Sequence, residues 1–391
     1  MPLSRREMLA SAAALASITA SEASLANGEK QKTIREADPR AVSQTSSSPV
    51  CVADYEALAH TAWSHVAWEY FNSGSADEVT LRWNRESLLR TALKPSVMVD
   101  VSMVDTRIKL LGQDMAHPIL LAPTSTHQLA HPDGELATVS GAGAAGATMI
   151  VSTVATRSIE EITKLATQPV WFQLYVEDDR GRTKALIERA EAANCRALCI
   201  TVDLPFTYAR TRESHILPEA PRFYFPHLDV TAGPGGAGRT GGRSRRFSWA
   251  DLEWIQSFSK IPIVLKGVLN PDDADHSVKA GVAGIVVSNH GGRALDSVPA
   301  TIDALPRVVD RVAGRIPVLF DGGIRRGTDI VKGLANGATA VLVGRPYLYG
   351  LGASGSDGVR HVIEILRAEL EAAMGLLGRT SIAALDRSVF W

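Results

Sequence analysis

Apolar and polar positions along this chain follow two periods that alternate in a regular order. From Asp54 to about Arg90 the spacing is helical, with Tyr55, Leu58 and Ala59, then Trp63, Val66 and Ala67, recurring on one face. Asn72-Ser73-Gly74-Ser75 interrupts the pattern as a loop. Beyond it, short apolar runs rich in β-branched residues alternate with longer stretches of helical spacing. Residues 118–124, 148–152, 170–176, 197–203, 262–267, the run starting at Gly284, 317–323 and 340–345 read as buried parallel strands. Residues 135–147, the stretch through Ile159, Ile162 and Leu165, 183–193 and 328–335 read as helices, the last capped by Asn336-Gly337. A closing helix is expected from Val359 to about Leu377. Strand and helix alternating eight times predict an α/β fold, the (β/α)8 TIM barrel, with an N-terminal helical extension.

A long insertion separates the fourth and fifth strands, and its section 231–242 is glycine-rich. A loop of this kind beside a barrel's active face predicts a mobile lid, with inert disorder as the alternative. Arg239, Arg243, Arg245 and Arg246 read there as solvated residues of a flexible segment rather than as an anionic-ligand surface.

Composition adds bounds. The 391 residues suit one barrel domain, 45% hydrophobic content suits a full core, and a net charge of −1 supplies no field to attract nucleic acid. No apolar run approaches the roughly 20 residues that span a bilayer. Cys51, Cys195 and Cys199 are too few for a disulfide framework, and the latter two read as packing residues. The first residues carry a separate message. Ser4-Arg5-Arg6-Glu7-Met8-Leu9, a mildly apolar uncharged run over 8–20 and Ser24-Leu25-Ala26 together read as a twin-arginine signal peptide over 1–26, which predicts export to the periplasm. Residues 27–50 read as a flexible polar linker, and 51–391 as the barrel domain.

The polar residues of the apolar strands gather at the strands' C-terminal ends: Thr124, Ser152, Gln173, Tyr175, Thr201, Asp203, Lys266, Ser288, His290, Asp321 and Arg345. In a barrel that face holds the chemistry, and polar groups in buried strands are costly without partners. Gly284-Ile-Val-Val-Ser-Asn-His-Gly-Gly-Arg293 ends the sixth strand with an imidazole beside a guanidinium. The first accepts a proton near neutral pH and the second grips a carboxylate, so the pair suits an anionic substrate that loses a proton. A capped strand with a surface histidine is the plainer alternative. Asp321-Gly-Gly-Ile-Arg-Arg-Gly327 and Val343-Gly-Arg345 set glycines beside arginines after the last two strands, where barrels often bind phosphate. Lys266 lies inside an apolar strand and needs either a carboxylate partner or an electronic role beside a flavin ring. His127 and His131 stand four apart without the neighbouring carboxylate of a metal pair, and no metal is expected.

Jointly these motifs resemble the FMN-dependent 2-hydroxy-acid-oxidising family, which includes glycolate oxidase, lactate oxidase and mandelate dehydrogenase. The resemblance extends from Tyr55 to Leu377. It is carried by Tyr70-Phe-Asn-Ser-Gly74, Ala122-Pro-Thr124, Phe172-Gln-Leu-Tyr175, Thr201-Val-Asp203, Lys266-Gly267, Ser288-Asn-His-Gly-Gly-Arg293, Asp321-Gly-Gly-Ile-Arg325 and Gly344-Arg345. It implies FMN as cofactor, with Pro123, Thr124, Ser125, Ser152, Gln173, Thr201, Lys266 and Ser288 around the isoalloxazine and ribityl groups. Asp321, Gly322, Gly323, Arg325, Gly344 and Arg345 would hold the phosphate end. Tyr70, Tyr175, Arg210 and Arg293 would bind a 2-hydroxy acid, His290 would be the base, and Asp203 would hold its ring. Arg212 competes with Arg210, and Tyr208 stands where the family often has glycine.

The same resemblance implies a homo-oligomer, a tetramer, and an electron acceptor that is oxygen, a quinone or a redox protein. Glycolate oxidase has larger side chains where Val154 and Thr207 align, so longer or aromatic 2-hydroxy acids are expected to be preferred over glycolate. Another FMN-barrel reaction, such as an isomerisation, and an exported flavin-binding barrel without turnover remain as alternatives.

Overall fold

A computed structural model describes residues 48–236 and 243–391. The predicted signal peptide, nearly all of the linker and Arg239 lie outside the described residues. Strands β1 (Ile108–Leu110) and β2 (Gln113–Met115) form an antiparallel hairpin. The strands β3 (Ile119–Leu121), β4 (Thr148–Ser152), β5 (Val170–Leu174) and β6 (Leu198–Thr201) follow. A second hairpin, β7 (Phe223–Phe225) and β8 (Val230–Ala232), precedes β9 (Ile263–Lys266), β10 (Gly284–Val287), β11 (Val318–Asp321) and β12 (Ala340–Val343). The eight parallel strands close in the order β10-β11-β12-β3-β4-β5-β6-β9, a (β/α)8 barrel. Every predicted barrel strand is present. Those expected to begin at Pro118, Pro262 and Pro317 start one residue later, after a proline that has no N–H to give.

Alternation along the strands separates core from chemistry. Leu120, Ile150, Trp171, Cys199, Val264, Val286, Leu319 and Leu342 fill the barrel interior, while Leu121, Val151, Phe172, Ile200, Leu265, Val287 and Phe320 face the helices. Fully burying one such side chain contributes about 1.5–3 kcal/mol, so this layer anchors the strands firmly. Two residues beyond it the interior row turns polar, as Ser152, Gln173, Thr201, Lys266, Ser288 and Asp321, all of them buried. The β1–β2 hairpin plugs the opposite end: Leu110 and Met115 join the interior cluster, and Trp171 Nε1 donates to Gln113 Oε1 at 3.3 Å. Buried Cys195 and Cys199 are packing residues, their thiols pushed up to about 12 by burial.

The N-terminal extension is three helices, Val52–Ala62, His65–Asn72 and Val79–Arg90. The unbroken period from 54 to 72 concealed a restart at Ser64, whose hydroxyl caps the second helix by accepting from Ala67 N. The 73–75 loop then reaches the active face. Ser75 N donates to Gly292 O at 2.8 Å, and Asn84 and Asn289 exchange side-chain hydrogen bonds at 2.9 and 2.8 Å.

Two expectations need correction. The insertion is not a bare loop over its described residues: it holds the helix Thr211–Ile216 and the β7–β8 hairpin, which packs Phe225, Leu228 and Ala232 on Val154. His227 pins this hairpin by accepting from Ile159 N at 2.9 Å, and burial lowers its pKa to about 4, keeping it neutral. The closing helix spans Arg345–Leu376, with a kink at Ser354 and Gly355, and so starts well before Val359. Four glycines between 350 and 358 hide the helical period of its first part.

Candidate active site

Above the apolar layer lies a cavity of about 460 Å³, the size of a cofactor and small-substrate pocket. Its floor is the polar interior row. Ser152 Oγ donates to Gln173 Oε1 at 3.2 Å, and Gln173 Nε2 donates to Thr201 Oγ1 at 3.0 Å. Lys266 Nζ donates to Ser288 Oγ at 2.9 Å and pairs with Asp321 Oδ2 at 3.2 Å. Burial alone would lower the Lys266 pKa, but the carboxylates of Asp321 and Asp203 outweigh it and raise the pKa. The lysine therefore stays charged, and it has the carboxylate partner that the sequence left as an alternative. Ser152, Lys266 and Asp321 border the cavity; Gln173, Thr201 and Ser288, expected around the cofactor, stand in the same layer and hydrogen-bond to those that do.

On one side His290 and Asp203 form a pair. His290 Nδ1–H donates to Asp203 Oδ1 at 3.0 Å. A carboxylate can only accept, so Nδ1 carries the proton and Nε2 is the basic nitrogen on the cavity side. Burial holds the His290 pKa below the usual histidine value, outweighing the opposite pull of Asp203. Burial pushes the Asp203 carboxyl the other way, up, yet His290 and Lys266 hold it below the ordinary value. The close approach of Asp203 depends on Gly267, at φ 109°, where a Cβ would meet the Asp203 side chain at 2.5 Å. His290 itself takes a left-handed backbone, φ 59°, followed by Gly291 and Gly292 at 62° and 77°.

Arg210, Arg293, Tyr70 and Tyr175 line the same cavity as His290. Arg293 donates through Nη1 to Ser73 O and through Nη2 to Glu213 Oε2, both at 2.7 Å. Arg210 Nη1 reaches the same Glu213 oxygen at 3.3 Å, and its Nε donates to Arg293 O at 3.2 Å. Glu213 thus sets two half-buried guanidiniums side by side against their mutual repulsion. Arg212, the competing choice, turns away to Glu69 and Glu78. The Tyr70 hydroxyl shares a hydrogen bond with Ser125, and burial raises its pKa, so it remains a donor.

Pro123, Thr124, Gly322, Gly323, Arg325, Gly344 and Arg345 also line the cavity. Gly323, at φ 81°, passes so close to the extension that a Cβ would sit 2.2 Å from Asn84 O. Arg345 donates to the carbonyls of Phe71, Gly291 and Ser73 at 2.9, 3.0 and 3.1 Å, joining extension and barrel, and burial lowers its pKa to about 10. His127 is a core residue, sharing hydrogen bonds with Thr124 at 2.6 Å and Thr138 at 2.9 Å.

Sequence reasoning missed Glu213 and Ser73. Glu213 stands three residues from Arg210, a spacing that signals an ion pair once a helix is recognised there; the Ser73 carbonyl left no signal. Arg243 and Arg245, expected in a solvated stretch, both border the cavity, Arg243 half-buried and Arg245 exposed.

FMN fits these groups. Asp321 Oδ1 is buried with no partner among the described residues, and a ribityl hydroxyl would satisfy it. Arg325 and Arg345 with the left-handed Gly322 and Gly323 suit a phosphate. Fold and site together define an FMN-binding barrel oxidoreductase. Residues 59–391 match the family model described as FMN-dependent dehydrogenase. The chain is 46% identical over 359 residues to an L-lactate oxidase of Nostoc sp., covering 88% of this chain and 98% of that one. It is 44% identical to a peroxisomal (S)-2-hydroxy-acid oxidase of Oryza sativa subsp. japonica, covering 87% and 95% of the two chains. A crystal structure of mandelate oxidase superposes with a TM-score of 0.81 at 38% identity, covering 87% of this chain and 98% of that one. This chain belongs to the FMN-dependent 2-hydroxy-acid oxidase family, and it is an enzyme whose cofactor is FMN.

Proposed function

We propose that the protein oxidises (S)-2-hydroxy acids to 2-keto acids, with His290 as the base. The observation that carries this reading is the His290–Asp203 pair at 3.0 Å in a cavity also lined by two arginines that can hold a carboxylate. Arg293 and Arg210 bind the substrate carboxylate through the guanidinium N–H groups that Glu213 leaves available. The Tyr70 and Tyr175 hydroxyls border the same space and orient the 2-hydroxyl. His290 Nε2 accepts the hydroxyl proton, and Asp203 stabilises the imidazolium that forms. When bound, FMN accepts the two electrons and the α-hydrogen released at carbon 2. Lys266, kept cationic by Asp321, holds positive charge at the cavity floor, which would favour a cofactor that gains negative charge on reduction.

The direct test is anaerobic reduction of the yellow holoenzyme by glycolate, lactate, 2-hydroxyoctanoate and mandelate. Loss of the oxidised flavin absorbance supports the reading; an unchanged spectrum with all four acids and with malate and 2-hydroxyglutarate refutes it. Val154 and Thr207 leave room beside the site, so the longer acids should exceed glycolate by roughly 10-fold in kcat/KM, as about two buried methylenes would supply. Glycolate as the fastest substrate at limiting concentration would show that the space is filled.

The pH profile follows from burial of His290. Neutral imidazole is the active base and its pKa lies below 6.5, so kcat/KM should rise with pH through an apparent pKa below that value and then level off. A limb centred above 7 would contradict this assignment.

The relatives named as oxidases support oxygen as the acceptor; a quinone or a redox protein are the other choices. Fully exposed Met98, with Val97 and Met103 at 83%, supports assembly with further copies of the chain. Among the described residues no helix is long and apolar enough to cross a membrane. Export rests on residues 4–26 alone, since one relative is named as peroxisomal. Replacing both Arg5 and Arg6 with lysine should leave the precursor in the cytoplasm, because the arginine pair is read by a receptor. Fractionation showing an undiminished periplasmic yield would remove the export proposal.

A further inference from the structure

Arg243 and Arg245 come from the insertion, and the chemistry above uses neither. Both border the cavity that holds His290, Arg210 and Arg293. Arg243 is fixed there by its backbone: it bridges Glu177, and the next residue, Ser244, donates from N to Val176 O at 2.7 Å and from Oγ to Asp178 at 2.6 Å. The segment is therefore fastened to the chain leaving β5. Arg243 Nη2 donates to Thr207 Oγ1 at 2.9 Å, and its guanidinium lies 4.8 Å from the centre of the Tyr175 ring. Arg245, at the exposed rim, lies 4.4 Å from the Phe206 ring centre. Among the described residues neither arginine pairs with a carboxylate.

Charge around the cavity gives these contacts a direction. Seven Lys and Arg side chains border it against two carboxylates. Asp203 beside His290 and Glu56 beside Arg325, a phosphate and one substrate carboxylate add further negative charge, but among the described residues none of the acids is paired with Arg243 or Arg245. Arg243 and Arg245, with no described acid paired to them, share the cavity lining with Val154 and Thr207, and Arg243 is hydrogen-bonded to Thr207 itself. An alkyl or aryl tail gains from burial beside Val154 but returns no hydrogen bond to Arg243. A carboxylate there would return two, in the planar fork geometry that arginine favours.

We propose that Arg243, with Arg245 at the rim, is an anion subsite for the far end of the substrate, so that 2-hydroxydicarboxylates are the preferred acids. This rests on the 2-hydroxy-acid reading and narrows it. The specificity lies in the distal charge, while Arg293 and Arg210 keep the carboxylate next to the reacting carbon.

The test compares, within each enzyme, a dicarboxylate with its isosteric amide. Anaerobic reduction of the holoenzyme is followed with (S)-malate and (S)-2-hydroxyglutarate against the corresponding distal monoamides, with lactate as reference. The wild-type ratio of kcat/KM, dicarboxylate over amide, should be about 10-fold or more for at least one chain length, the scale of a charged hydrogen bond. In an Arg243→Met/Arg245→Met variant that ratio should fall toward one, and Arg243→Lys should keep part of it. Because each ratio is taken within one enzyme, a general loss of activity or FMN cancels. An independent readout is the perturbation of the oxidised flavin spectrum by 2-oxoglutarate, which should need about 10-fold more ligand in the double variant. Equal rates for acid and amide in the wild type overturn the subsite while lactate turnover leaves the parent reading standing. An effect of the double variant confined to reoxidation, with the ratio unchanged, overturns it too and assigns the arginines to an anionic acceptor. No reduction by any of these acids overturns both readings.

Discussion

His290→Gln should retain FMN and lose at least about 10²-fold in the rate of flavin reduction, the usual scale for removing a general base. Glutamine is close in size and its amide N–H can still donate to Asp203, so the change removes basicity with little loss of shape. The left-handed backbone at 290, φ 59°, is unfavourable for either side chain, so the comparison is fair on that count. Stopped-flow mixing with lactate without oxygen isolates the chemical step from reoxidation, and the bound FMN is quantified from its spectrum beforehand. A mutant that reduces its flavin at close to the wild-type rate would remove His290 from the mechanism. Loss of rate together with loss of FMN would instead show that the turn at 290–292 holds the cofactor.

Asp321→Ala is expected to cost about 3–5 kcal/mol of stability, the range for stranding one partner of a buried ion pair. The Lys266–Asp321 pair spans 3.2 Å with side chains only 4% and 8% exposed, so water screens it little. Without the carboxylate, Lys266 keeps only Asp203, which is already engaged with His290, and Ser288. Thermal unfolding should show a Tm lower by about 10 °C, with FMN more readily lost because the orphan Asp321 Oδ1 disappears as a partner. The double change Lys266→Met/Asp321→Leu separates the two contributions. It should recover most of the stability, since an apolar pair of similar volume can replace a buried ion pair, without recovering FMN affinity or rapid reduction. If Asp321→Ala unfolds like the wild type, the pair is not a buried structural element.

How much could be read from the residues differs by element. All eight strands and the barrel were legible because each buried strand repeats one physical demand, near-continuous apolar residues, over its whole length. The row Ser152, Gln173, Lys266, Ser288 and Asp321 was legible for the converse reason: a polar residue at the end of such a run is costly unless something there needs it. The helix 345–376 was half hidden because its glycines weaken the period. The restart at Ser64 was hidden because the apolar spacing continues across it.

The sequence by itself determined the barrel, the strand ends at which polar residues gather, the glycine–arginine turns after the last two strands and the turn that sets His290 beside Arg293. These follow from local order along the chain, in strand periodicity and in the residues that end each strand. Tertiary structure alone decided what depends on closure. It chose Arg210 over Arg212, because a six-residue helix turns one guanidinium into the cavity and the other toward Glu69 and Glu78. It brought Glu213 between Arg210 and Arg293, 80 residues apart along the chain from the second of these, and gave Arg345 and Arg293 the Ser73 carbonyl of the helical extension. It also placed Arg243 on Thr207 and Tyr175, since a glycine-rich stretch has no period to say where its charges go, and only the pairing of Arg243 and Ser244 with the chain after β5 fixes them there.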